Sequence, residues 1–226
     1  AAGQERQLAP VADVLFTAAA LRPGERVLDV GCGTGPTTRR AAREVGPAGH
    51  VTGLDISAEM LAAAAAQPEE DGVAPVEWVA ADVVGWQPDN QVSDVVLSRF
   101  GVMFFSDPAA AFGRLATATS PGGRLAMAVW DRRDESDLFA VPMHAALDEL
   151  RRRGTAVQAP PDDDGPFSLY DPATVTALLT GAGWSHVTCT PHRLMLPFGG
   201  GLDPATAARS ALDLGPTRLV APARRR

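Results

Sequence analysis

The sequence predicts an α/β protein built on a doubly wound, mostly parallel sheet. Three observations carry that expectation. Five short apolar runs alternate with helical segments over the first 130 residues. The runs are continuously apolar, as in strands covered on both faces. A glycine-rich turn, Gly31-Cys32-Gly33-Thr34-Gly35, joins the first run to the helix after it. In such folds the ligand lies at the carboxyl ends of the strands, beside turns of this kind.

The elements follow in order. Leu8, Val11, Val14, Leu15 and Ala18 recur at helical spacing within Glu5 to Leu21. Arg22-Pro23-Gly24-Glu25 ends that helix. Arg26 to Val30 is the first strand, and a helix over Thr37 to Val45 follows, with Pro36 in its first turn, where no donor is needed. Val51 to Asp55 is the second strand, and Ser57 suits the N-cap of a helix over Ala58 to Ala66. Val76 to Ala80 is the third strand and Val92 to Ser98 the fourth. Asp107 caps a helix from Pro108 to about Ala118. Pro121-Gly122-Gly123 turns into the fifth strand, Arg124 to Trp130.

The rhythm then breaks. Asp131 to Ser168 holds one helical piece, Leu138 to Arg152, and a Pro- and Asp-rich loop, Pro160 to Pro166. A long connection after a strand end suits a lid. A helix over Pro172 to Ala182 and a strand or strand pair over Trp184 to Leu196 come next. A helical piece, Pro204 to Leu212, and a weak last strand, Arg218 to Ala221, close the chain. The expected organisation is a core over 1–130, a lid over 131–168 and a completing segment over 169–226.

Composition narrows the function. The 226 residues carry a net charge of −7, against a broad grip on nucleic acid or anionic lipid. The 20 basic residues are all Arg, so no mechanism that needs a lysine applies. Two cysteines make no disulfide framework, and a reduced cytoplasmic setting is expected. No apolar run reaches a membrane span, no signal peptide is visible, and no metal site is read.

The glycine turn departs from the dinucleotide pattern Gly-x-Gly-x-x-Gly, because position 36 is Pro. Asp55 ends the second strand, where a carboxylate can accept from both ribose hydroxyls of an adenosine. Asp82 follows the third strand, where it can accept from an adenine amino group.

Val27 to Gly35 resembles motif I of the class I S-adenosylmethionine-dependent methyltransferases. Gly53-Leu54-Asp55-Ile56-Ser57 with Met60-Leu61 resembles the family's second motif, and Ala80-Ala81-Asp82 its third. Pro121 to Leu125 is similar to the turn before its fifth strand. Ser98-Arg99-Phe100-Gly101-Val102-Met103-Phe104-Phe105 resembles the small-molecule, ubiquinone/menaquinone-methylase-like branch.

The resemblance implies a seven-stranded Rossmann-like fold with an inserted helical lid and S-adenosylmethionine as cofactor. It implies Asp29, Gly31, Cys32 and Gly33 beside the methionine portion, and Asp55 on the ribose. Ile56 and Met60 would pack on adenine, with Ala81, Asp82 and Val83 at its edge. Ser98 and Arg99 would lie near the sulfonium.

Phe100, Met103, Trp130, Met143, Phe167 and Tyr170 are candidates for an acceptor pocket, or for packing of the lid. His144 is the candidate base, or a surface histidine. The acceptor expected is a small, apolar or aromatic molecule, taken by a monomer or homodimer. Two other readings stand: a nicotinamide-dependent oxidoreductase, and a non-catalytic or non-methylating S-adenosylmethionine-binding protein.

Overall fold

A computed structural model of the protein describes residues 2–68, 70–87, 92–155, 165–197, 203 and 205–206. The chain divides into two compact units. One is Val11–Val129 with Pro172–Thr190; the other is Ala1–Pro10 with Trp130–Asp171 and Pro191–Arg226. The first helix, α1 (Ala2–Ala19), contributes to both.

The larger unit holds β1 (Arg26–Val30), α2 (Pro36–Val45), β2 (His50–Asp55), α3 (Ala58–Ala65), β3 (Val76–Ala80), β4 (Ser93–Arg99), α4 (Pro108–Thr117), β5 (Thr119–Ala128) and α6 (Pro172–Gly181). Its sheet has the order β3-β2-β1-β4-β5 and is parallel throughout. The chain steps outward from β1 to β3, then returns to β4 on the other side of β1. Right-handed crossovers therefore put α2 and α3 on one face and α4 on the other. The strand order reverses between β1 and β4, and in folds of this kind the ligand crevice lies at the carboxyl ends of the strands at that point.

One face of the sheet is closed by Leu15, Phe16 and Ala19 of α1 and Ala41, Ala42 and Val45 of α2, over Val27, Val51, Val95 and Leu97. Side chains alternate along a strand, so Asp29 shares the face of Val27 and points toward α2. The caps form as the sequence implies. Ser57 Oγ accepts from Met60 N and Asp107 Oδ1 from Ala110 N. On the other face, the Trp184 indole donates to the Phe112 carbonyl of α4 at 3.1 Å.

Two expectations are corrected. Pro121 to Gly123 does not precede the fifth strand but lies inside it. Thr119 pairs with Ser93 and Arg124 with Val95, so Ser120 to Gly123 stand opposite Asp94 as a bulge. Asp94 closes the bulge by accepting from Ser120 Oγ and from Arg26 N.

Trp184 to Leu196, expected as a strand or strand pair, has no regular secondary structure, so the described residues form five strands and not seven. Trp184, Val187, Leu194 and Leu196 half-bury without joining a ladder, while Met195 is exposed. Alternation reports which side chains turn inward and says nothing of backbone pairing.

In the smaller unit, α5 (Asp137–Arg152) buries Phe139, Ala140, Met143 and Leu147 as one stripe. Trp130, Phe139 and Phe167 stack edge to face, with centroids 4.9 and 5.3 Å apart. Arg133, also buried, lies 5.0 Å over the Phe167 ring. Pro160 to Asp164, the helix over Pro204 to Leu212 apart from Ala205 and Thr206, and Arg218 to Ala221 lie outside the described residues. No helix among the described residues is long and apolar enough to cross a membrane.

Candidate functional site

The carboxyl ends of β1, β2, β3 and β4 bring together Asp29, the glycine turn, Asp55, Asp82 and Arg99. Asp29 is fully buried. Its Oδ2 accepts from the hydroxyls of Thr37 and Thr38, each at 2.6 Å, while Oδ1 has no partner. Such an orphan costs about 1–3 kcal/mol, which an arriving donor relieves. Burial pushes the Asp29 carboxyl up, against the two hydroxyls and the Arg99 charge, which hold it down.

The three glycines of the turn serve different ends. All have positive φ. A Cβ on Gly31 would meet Gly101 Cα at 2.5 Å, and one on Gly35 would meet the Trp78 ring at 2.3 Å. These two are glycine because protein fills the space. A Cβ on Gly33 meets only Met60 Sδ, at 3.7 Å. Gly33 is thus the position that leaves room above the loop. Cys32 is buried, and burial with the charges of Asp29 and Asp55 pushes its thiol far up, away from nucleophilic chemistry.

Asp55 organises the other side. Its Oδ2 accepts from Gly33 N and its Oδ1 from Ser57 N, both at 2.8 Å, so it joins the glycine turn to α3. Each oxygen keeps a lone pair. Beside it Ile56 is 76% exposed and Met60 48%, an apolar ledge against solvent. Asp82 is exposed and its Oδ1 accepts from Val84 N, with Ala81 half-buried and Val83 buried.

Ser98, expected near the reacting centre, is fully buried. Its hydroxyl donates to the Val30 carbonyl at 2.8 Å and accepts from Gly101 N and Val102 N at 3.2 Å. One donor and two lone pairs are all it has, so it is a clamp between the β1 and β4 loops. Phe100 holds φ +67 and is half-buried. Met103 is 3% exposed, core rather than pocket, while its neighbour Phe104 is 64% exposed. A 3-10 turn over Val102–Phe104 turns Met103 inward and Phe104 outward.

In the smaller unit, Met143 and Phe167 are buried. Trp130 is half-buried against Phe139, and Tyr170 is half-buried, with Arg132 5.6 Å over its ring. His144 is exposed on α5, beside the buried Met143–Leu147 stripe and not part of it.

Sequence reasoning missed Thr37 and Thr38, Gly101 and Trp78. A signal existed for the first pair, since two hydroxyls follow the glycine turn one helical step beyond a strand carboxylate. None existed for the contact of Gly101 with Gly31.

The arrangement suits a nucleoside with a charged tail. A carboxylate with free lone pairs, an apolar ledge and an open glycine lie at one end, and an unsatisfied buried oxygen at the other. Residues 27–123 match the family description "Methyltransferase domain". The chain is also 30% identical over 184 residues to the ubiquinone/menaquinone biosynthesis C-methyltransferase UbiE of Ectopseudomonas mendocina, covering 74% of this chain and 68% of that enzyme. The chain belongs to the class I S-adenosylmethionine-dependent methyltransferases. With the family comes its cofactor, S-adenosylmethionine, and the nicotinamide reading falls.

Other members of this methyltransferase family are similar over shorter stretches. Nocamycin O-methyltransferase of Saccharothrix syringae is 38% identical over 120 residues, covering 52% of this chain and 42% of that enzyme. Trans-aconitate 2-methyltransferase of Klebsiella pneumoniae is 32% identical over 153 residues, covering 68% and 57%. The chain thus spans about half the length of these two relatives. A methyltransferase structure from Aquifex aeolicus shares the fold, with a TM-score of 0.57 at 23% identity over 76% of this chain and 78% of that one.

Proposed function

We propose that the protein transfers a methyl group from S-adenosylmethionine to a small, apolar or aromatic molecule. The observation that carries this reading is the crevice edge where Asp55, exposed Ile56 and Met60, and open Gly33 meet. The cofactor, when bound, supplies an activated methyl group, so the protein's part is to orient the acceptor and exclude water.

In this reading Asp55 accepts from the ribose hydroxyls. Ile56 and Met60 cover the adenine, and Ala81, Asp82 and Val83 border it. Asp29, Gly31, Cys32 and Gly33 hold the methionine end. Arg99 and Phe100 stand on the acceptor side, joined by exposed Phe104. That phenyl ring supports an apolar acceptor, because an exposed aromatic offers contact area without charge. Orientation carries most of the rate, with His144, exposed on α5, as the candidate base.

The test is a tritiated-methyl assay against a metabolite extract. We expect label in the organic-soluble, low-mass fraction. Label found only in macromolecules, or no transfer by protein that binds S-adenosylhomocysteine, overturns the reading.

A further inference from the structure

The crevice has two ends. Asp55, Asp82 and the exposed ledge of Ile56 and Met60 mark the β2–β3 side as the adenosine end. A ligand running along the strand ends then carries its other end toward β1 and β4. There stands Asp29, buried, with two hydroxyls on one oxygen and none on the other.

That asymmetry has a local cause. Asp29 faces α2 because it shares the strand face of Val27, and Thr37 and Thr38 occupy the first turn of α2. Consecutive helical residues normally diverge by about 100°. Here both reach Oδ2, since the carboxylate lies beside the helix end.

We propose that Thr37 and Thr38 are positioning residues for cofactor binding. By donating together to Oδ2 they fix the Asp29 carboxyl group in one orientation and leave Oδ1 to receive the charged amino-acid end of S-adenosylmethionine. The inference rests on the cofactor reading above. Other groups act on the same carboxylate. Asp55 across the turn disfavours its charge, and Arg99 of β4 favours it. The Cys32 thiol also lies close by, within reach of the Thr38 hydroxyl, and stays neutral. With those groups constant, removing a hydroxyl shifts the balance toward protonation.

The experiment measures binding of two probes by calorimetry across pH. S-adenosylhomocysteine has the amino-acid end; 5′-methylthioadenosine lacks it. Thr37→Val and Thr38→Val keep side-chain size and lose the hydroxyl, whereas Thr37→Ser and Thr38→Ser keep it. We expect each valine variant to bind S-adenosylhomocysteine about tenfold more weakly near neutrality. The acid fall-off of that binding should also move up by about one pH unit. Affinity for 5′-methylthioadenosine should stay within about twofold, and the serine variants should bind both probes as the wild type does.

Equal weakening of both probes, or an unmoved pH profile, overturns the proposal and leaves the threonines a structural role. If a valine variant fails to fold, cysteine at that position, which has similar size and donates weakly, replaces it under the same criteria. Wild-type protein that binds neither probe overturns the cofactor reading, and this inference with it.

Discussion

At the scale of single residues, the glycines separate binding from folding. A Cβ at Gly101 would meet the Val30 carbonyl at 2.5 Å and Gly31 Cα at 2.7 Å, and both are backbone atoms. Neither can give way without moving β1 against β4. Gly101→Ala should therefore lower stability by more than about 3 kcal/mol. Gly33→Ala meets no backbone, and its cost is the left-handed conformation, about 1–2 kcal/mol. Its methyl group would occupy the room above the turn. The expected pair of outcomes is a folded Gly33→Ala protein that no longer binds S-adenosylhomocysteine and a Gly101→Ala protein that unfolds early in urea. Urea titration and calorimetry on both variants check this. The reverse pattern would place the ligand away from Gly33. The residue types alone do not tell these glycines apart, because the atoms that crowd Gly31 come from a loop 70 positions away.

At the scale of elements, the bulged strand β5 is tied to the end of α1. Arg124 donates from two nitrogens to the two carboxylate oxygens of Glu25, both at 2.8 Å, and also to the Ala19 and Ala20 carbonyls. Those carbonyls lie at the end of α1, where helical partners run out. The Arg124 hydrogen bond holds the Glu25 carboxyl below its ordinary value of 4.5, against partial burial. The folded state therefore binds this proton less readily than the unfolded chain. The stability it contributes is fully present above pH 4.5 and is lost as the pH falls through the lowered folded value. We expect Glu25→Gln to lower unfolding free energy by about 1–2 kcal/mol at neutral pH, with the difference from wild type shrinking as the pH falls below 4.5. Urea unfolding of both proteins over that range measures it. A difference constant with pH would assign the effect to packing.

At the scale of the whole molecule, a ligand that binds only the folded state stabilises it by mass action. S-adenosylhomocysteine at about 100 times its Kd adds about 2.7 kcal/mol, which for a chain of this length raises Tm by about 5–10 °C. NADH at the same concentration should raise it by less than about 1 °C. A thermal scan with each ligand decides the matter, and a shift with NADH alone would reverse the family's cofactor assignment. Strand and helix order, the caps at Ser57 and Asp107, and the acidic residues at the ends of β1 to β3 were determined by the sequence, because each is written within a few neighbouring residues. Burial was not. Met103 and Phe104, Met143 and Phe167 are apolar alike, and apolar character does not distinguish a core residue from a pocket wall. The Ser98 clamp, the contact of Gly31 with Gly101 and the unregular course of Trp184 to Leu196 were decided by the tertiary structure. Each depends on what distant segments bring alongside, and hydrogen-bond satisfaction and close packing are settled only when those segments meet.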